Sequence, residues 1–243
     1  MFKKGEAIVN TNLAREEIVD DVVANIYALD NTTTNEGVLK RQSPYKYIKR
    51  MMDVILATIA LVVLSPIFLI IAIAIKVESK GTVFFKHTRI GKDGKIIKLY
   101  KFRSMVINAE ELIKTFTPEQ MKEYKENYKL TDDPRITKVG KFLRKTSLDE
   151  LPQLLNIIKG DLTIIGPRPV VADELKKYGI NTEKFLSVTP GLTGYWAANG
   201  RSCTTYEQRM QMELYYIDNL SLKMDIKVFF KTIEAVIKRK GAI

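Results

Sequence analysis

The longest apolar run, Val54 to Ile75, holds 22 residues without a charge and is interrupted near its middle by Ser65-Pro66. A helix of that length reaches the roughly 30 Å of a bilayer core. Proline removes a helix hydrogen bond and clashes one turn back. The pattern therefore predicts a helix-break-helix, 11 residues (Val54–Leu64) then 9 (Ile67–Ile75). Lys40, Arg41, Lys46, Lys49 and Arg50 precede the run, and Lys76, Lys80, Lys86 and Arg89 follow it. Basic residues mark cytoplasmic flanks. Their presence on both sides favours a re-entrant anchor that bends at Ser65-Pro66 and returns to the face it entered, over a kinked span or a soluble core helix.

Beyond the run, Val83-Phe84-Phe85 and Ile96 to Tyr100 flank Gly91-Lys92-Asp93-Gly94 and read as a β-hairpin. Asn108 to Phe116 is helix-like, and Thr117-Pro118 opens a helix expected to reach about Leu130. Ser147 to Ile158 reads as helix, Leu162 to Ile165 as a short buried strand, and Thr189 to Arg201 as a rigid loop. Two helices close the chain, near Tyr206–Tyr216 and Asp225–Lys240. The last gathers Ile226, Phe229, Phe230 and Ile233 on one side, the pattern of a face packed on a core, with a membrane-surface helix as the alternative. The expectation is an α/β chain, mainly helical with a small hairpin: an N-terminal appendage (1–44), a membrane helix (45–80) and a catalytic domain (81–243).

Charge sharpens this picture. Of the net +11, residues 1–44 contribute −2, so the remainder carries +13. A basic body beside a membrane run points to anionic lipid headgroups or phosphorylated substrates. Nucleic acid is the other usual partner of such charge, but no zinc-finger spacing, RNA-recognition motif or basic zipper is present. Cys203 is the sole cysteine and His87 the sole histidine. Intrachain disulfides are excluded, and Ser-His-Asp catalysis and His-rich metal sites nearly so, leaving carboxylates, cations, hydroxyls and a hard metal ion.

Asp149 and Glu150 are adjacent, just before Leu151-Pro152. Ser147-Leu148-Asp149-Glu150 matches a capping box, a structural reading. A chemical reading is compatible with it, because a carboxylate at a helix start is favoured in its ionised form and can attack or hold a divalent cation. Arg168, held between Pro167 and Pro169, suits a fixed bidentate contact to phosphate. Lys101, Arg103, Arg144 and Arg201 add further cations. Each alone is an ordinary surface residue. Together with paired carboxylates and a membrane anchor they point to phosphoryl chemistry on a lipid-borne substrate. A non-catalytic basic membrane adaptor is the competing class.

The ordered blocks Tyr100-Lys-Phe-Arg-Ser-Met105, Asp133 to Asn156, Lys159-Gly-Asp161, Gly166-Pro-Arg-Pro169, Pro190-Gly-Leu-Thr-Gly194 and Asn199-Gly-Arg201 carry a resemblance. Over about residues 45 to 240 the chain resembles the bacterial sugar transferase family, the monotopic polyprenyl-phosphate phosphoglycosyl transferases. That resemblance implies transfer of a phosphosugar from a UDP-sugar to polyprenyl (undecaprenyl) phosphate, with release of UMP. It implies a site on the cytoplasmic face of the bacterial inner membrane, at the start of polysaccharide or glycoconjugate synthesis. The family's Asp-Glu dyad falls on Asp149-Glu150, whose aspartate forms a covalent phosphosugar intermediate with Mg²⁺ at the site. Its Ser-Pro helix break falls on Ser65-Pro66. Trp196-Ala197-Ala198 departs from the family's frequent Trp-Gln-Val, which leaves the sugar open, and Cys203 stands where an acidic or polar residue is common. Larger relatives carry four additional spans; residues 1–44 contain none, so a small core-only member is expected. A homo-oligomer is compatible with all of this.

Overall fold

The computed structural model describes residues 43–127, 130, 132–199 and 204–237. Most of the appendage, together with Arg201 and Cys203, lies outside the described residues. The chain opens with α1 (Ser43–Glu78), followed by an antiparallel hairpin of β1 (Phe84–Ile90) and β2 (Ile96–Phe102). Next come α2 (Ala109–Leu112), α3 (Pro118–Asn127), α4 (Lys138–Thr146) and α5 (Gln153–Lys159). β3 (Thr163–Ile165), α6 (Ala172–Leu175), α7 (Thr182–Leu186) and β4 (Gly191–Thr193) follow, then α8 (Tyr195–Asn199), α9 (Tyr206–Asp218) and α10 (Leu222–Ile237).

α1 corrects the expected break: it is one helix of 36 residues with Pro66 inside it. Proline has no N–H for the carbonyl of Val62 four residues back. The Ser65 hydroxyl donates to that carbonyl at 2.8 Å, so the acceptor is not orphaned. Both sides of the proline also pack on the same body. Ala57, Ala60, Leu61 and Leu64 meet Leu154, Ile157 and Leu162. Phe68, Ile71 and Ile75 meet Phe102 and Leu143. These positions recur at helical spacing and form one stripe. The other face exposes Ile55, Ile59, Val62, Val63, Ile70 and Ile73. By length and composition α1 can cross a membrane, and the mean hydropathy of 3.0 over its most apolar 18 residues is compatible with membrane association.

Polar contacts fix both ends of α1. Arg50 donates to the carbonyls of Ile157 and Ile158 at 2.6 and 2.8 Å, in the last turn of α5 where a cation is favoured. Asp53 accepts from the Thr163 hydroxyl at 2.6 Å and the Ile164 amide at 2.9 Å. At the far end Glu78 accepts from the amides of Lys138 and Val139, the free donors that open α4, at 2.7 and 3.0 Å.

The hairpin register pairs Phe85 with Lys101, His87 with Leu99 and Arg89 with Ile97. Opposed residues share a face, so Arg89, His87, Leu99 and Lys101 look the same way. Asn156, fully buried on α5, knits this hairpin to the helices. Its side-chain oxygen accepts from the Tyr100 amide at 2.9 Å, and its amide nitrogen donates to the Lys98 carbonyl at 2.8 Å.

Part of the segment read as a rigid loop is strand and helix. β4 pairs parallel with β3, Thr163 to Gly191 and Ile165 to Thr193, and α8 follows it. The approach is so close that a Cβ on Gly191 would overlap the Gly166 amide nitrogen, and one on Gly194 the Gly166 carbonyl oxygen. The glycines of Gly166-Pro-Arg-Pro and Pro-Gly-Leu-Thr-Gly are thus two halves of one main-chain contact.

α10 is also rotated relative to the expected packing. Asp225, Val228 and Ala235 are buried, whereas Ile226, Phe229, Phe230 and Ile233 are exposed. The cause is Asp225, whose carboxylate accepts from the Tyr45 hydroxyl, Lys49 Nζ and the Tyr216 hydroxyl at 2.8, 2.6 and 2.6 Å. Turning it to solvent would leave those donors unpaired.

Because both ends of α1 rest on one body, cysteines replacing Lys46 and Lys80, with Cys203 changed to serine, are expected to react with an impermeant thiol reagent from the same side of a sealed vesicle. Labelling of one from each side would show a span instead.

Candidate active site

Asp149 and Glu150 lie in a single 3₁₀ turn, Leu148–Glu150, between α4 and α5. The capping-box reading is corrected here. Ser147 adopts φ 57° and ψ 17°, in the left-handed region, and its side chain caps nothing. It ends α4, its amide bonding the Arg144 carbonyl at 3.2 Å, rather than starting a helix. The turn is pressed against β2, where Lys101 Nζ lies 2.6 Å from a Glu150 oxygen and 4.0 Å from an Asp149 oxygen. One ammonium therefore serves both carboxylates.

Their surroundings set their charge. Burial pushes the Asp149 carboxyl above its ordinary range, and Glu150 adds to this against the pull of Lys101 and Arg144. Burial acts on Glu150 as well, but Lys101, Arg168 and Arg89 outweigh it and hold that carboxyl below its ordinary range. The pair is thus split into a firmly ionised glutamate and an aspartate whose charge is less well compensated.

The turn borders a cleft lined by Arg89, Leu99, Lys101, Glu150, Arg168, Trp196 and Glu213 among others. Arg168 enters on the Gly166–Pro169 loop with its guanidinium 5.9 Å from the Trp196 ring centre. Arg209 lies 4.7 Å from the same ring and is paired with Glu174 at 3.1 Å. The indole nitrogen donates to the Thr204 hydroxyl at 2.7 Å, which fixes the ring edge.

Of the sequence-derived residues, Lys101, Glu150 and Arg168 line the cleft; Asp149 is not in its lining and adjoins it through Lys101, 4.0 Å away. Arg144 stands beside the cleft, its Nε on the Ser104 hydroxyl at 2.9 Å, close enough to act on Asp149. Arg103 has a different place. It is buried and donates to the Lys80 and Ser79 carbonyls at 2.6 and 2.8 Å, clasping the end of α1. β2 ends at Phe102, so the backbone carries Arg103 away from the face that bears Lys101.

Two residues of the cleft were not selected from the sequence as site residues. Arg89 on β1 counted only as a basic flank, although strand alternation from Lys101 places it on the same face. Glu213 on α9 is fully buried, and its Oε1 accepts from the Arg168 amide at 3.1 Å. Pro167 and Pro169 have no N–H, so Arg168 supplies the amide by which the loop is held. Burial pushes the Glu213 carboxyl up to about 7.

A bacterial sugar transferase profile matches residues 44–239. The chain belongs to the bacterial sugar transferase family. The exopolysaccharide production protein ExoY of Sinorhizobium fredii is 45% identical over 80% of this chain and 87% of its own. The undecaprenyl-phosphate galactose phosphotransferase of Salmonella typhimurium is 40% identical over 85% of this chain and 43% of its own. The UDP-glucose:undecaprenyl-phosphate glucose-1-phosphate transferase of Escherichia coli is 39% identical over 77% and 40% respectively. The chain thus spans less than half the length of the last two and most of the ExoY family member.

Glu213 also leaves a signature in this family member's stability. Its carboxyl rises from 4.5 to about 7 on folding, so between those values the folded state holds the extra proton. Stability therefore falls as pH rises through that window. Glu213→Gln keeps an acceptor for the Arg168 amide but does not titrate. Thermal melts of the variant are expected to lose this slope, and an unchanged slope would place its origin elsewhere.

Proposed function

We propose that this chain transfers a phosphosugar from a UDP-sugar to undecaprenyl phosphate at the cytoplasmic face of the bacterial inner membrane, releasing UMP. The observation that carries the reading is the carboxylate pair sharing Lys101 beside a cation-lined cleft, in a chain whose relatives are named as undecaprenyl-phosphate sugar phosphotransferases. In this reading α1 is the membrane anchor, which holds the cleft at headgroup height near anionic lipids.

An Asp149 oxygen attacks the sugar-bearing phosphorus and forms an acyl-phosphate bond. The bridging P–O bond breaks, and its electron pair stays on the nucleotide phosphate, which leaves as UMP. A phosphate oxygen of the lipid carrier then attacks the same phosphorus, and the Asp149 carboxylate is regenerated. The two substrates need not be bound together. Lys101 and Glu150 keep the aspartate in place, and Arg168 offers a planar fork to phosphate oxygens.

Among the described residues no cluster of three or more acidic, thiol or imidazole groups forms a protein cage for a metal. One or two carboxylates completed by substrate phosphates is the donor set that Mg²⁺ takes, so these residues fit it, with Asp149 as the holding carboxylate and Glu150 beside it. When bound, Mg²⁺ would neutralise charge on the phosphate oxygens and so favour attack at phosphorus.

The non-catalytic adaptor gives no reason to set two adjacent carboxylates, one of them buried, against one ammonium. Membranes carrying the protein, supplied with a panel of UDP-sugars, are expected to release UMP with at least one donor. With donor alone, intact mass should show one phosphosugar added to wild type and none to Asp149→Asn. An adduct persisting in the variant would move the nucleophile; turnover with neither adduct nor acceptor-independent UMP would mean direct transfer.

Arg168→Lys keeps the charge but loses the fork, and is expected to lower turnover at least about tenfold, since a charge-assisted bond is worth roughly 1.5–3 kcal/mol. Turnover near wild type would leave Arg168 a structural role only.

A further inference from the structure

We propose that Arg89, together with Arg168, forms the subsite for the phosphate that departs with the nucleotide. The assignment rests on the transfer reading above and divides its cleft into two ends. Lys101 marks the reacting end, 2.6 Å from Glu150 and 4.0 Å from Asp149. Arg89 shares the hairpin face with Lys101 but pairs with Ile97, four residues before it on β2. The main chains there are about 14 Å apart along the strand, a gap the long side chains close, since Arg89 and Arg168 both act on Glu150. At this second end a main-chain bond from the Ile90 amide to the Val170 carbonyl, 2.9 Å, draws the end of β1 onto the loop that carries Arg168. Arg168 in turn faces Trp196.

Charge makes this end a site for an anion. Among the described residues the ion pairs at the cleft join Lys101 to the dyad and Arg209 to Glu174, and Arg89 and Arg168 form none, although Glu174 and Glu150 lie near enough to act on Arg89. Arg89 Nη1 lies 2.9 Å from His87 Nε2, and a guanidinium only donates, so that ring nitrogen is the acceptor. Burial, and next the neighbouring Arg168, depress the Arg89 guanidinium to about 10, a cost that an anion between the two would relieve. As the bridging bond breaks, the departing phosphate gains negative charge at the end where these two arginines stand, while Lys101 stays with the dyad.

The experiment uses the full chain in detergent and the fluorescence of Trp196, the single tryptophan, which lines the cleft. The probes are UMP and uridine. UMP is expected to bind wild type with a saturable change in signal. Arg89→Gln should weaken UMP at least about tenfold while leaving uridine within about twofold, at unchanged melting temperature. Arg89→Lys should fall between, and it carries the test alone if Arg89→Gln does not fold. UMP affinity equal to wild type in either variant, or an equal loss for uridine and UMP, would overturn the subsite. UMP release from UDP-sugars is measured in parallel. Wild type that binds UMP through Arg89 but turns over no donor would defeat the transfer reading and leave the anion subsite standing. Normal UMP binding in the variants, with normal wild-type turnover, would do the reverse.

Discussion

The amide of Asn156 is the interaction on which the site's geometry rests. It is fully buried, and both ends of its side chain are engaged on the edge of β2. Its main-chain carbonyl also accepts the amides of Gly160, Asp161 and Leu162, which ends α5 and turns the chain into β3. A buried amide left half-paired costs more than the hydrogen bond contributed, so the hairpin has one register against α5. That register sets Lys101 opposite Asp149 and Glu150. The dyad itself sits in a short turn with little to fix it. Its position is borrowed from the helix that follows and the strand that this amide holds.

A second constraint is the main-chain contact between Gly166 and the Gly191–Gly194 strand. It lets two backbones approach where no side chain fits, so that Arg168 and Trp196 emerge on either side of the same cleft. Glu213 supports this from beneath by accepting the Arg168 amide. The cleft is thus built from five separated stretches of chain: the hairpin, the dyad turn with the start of α5, the Arg168 loop, β4 with α8, and α9. The charged side chains at its rim are left with few internal partners, as a site that binds an anion requires.

Local chemistry was legible in the sequence. The hairpin announced itself by strand-forming residues around a glycine-rich turn, and α3 by Thr117, whose hydroxyl accepts from the Gln120 amide at 3.2 Å. Lys101, Asp149, Glu150 and Arg168 were legible because each stands in a distinctive short block. Non-local geometry was not. Ser147 reads as the start of a helix because capping residues and left-handed helix ends draw on similar polar residues, and only packing decides between them. β4 is three residues long and exists through its pairing with β3, 28 positions earlier in the chain. Arg103 seemed to belong with Lys101 by adjacency, yet the strand stops between them. Arg89 and Glu213 lie outside those blocks and reach the cleft only when β1 and α9 are folded against it. Ser65-Pro66 was noticed, but the hydroxyl's ability to fill the proline's missing bond was not.

α1 has one face in the protein core and the other open to its surroundings, along its whole length. Ala57 is fully buried among Leu99, Ile157 and Leu162, the same residues that lie under the hairpin. Anchor and catalytic body are therefore not separable modules. Cutting the helix away to obtain a soluble enzyme fragment would strip the floor from beneath the hairpin, and the fragment would lose its fold along with its lipid.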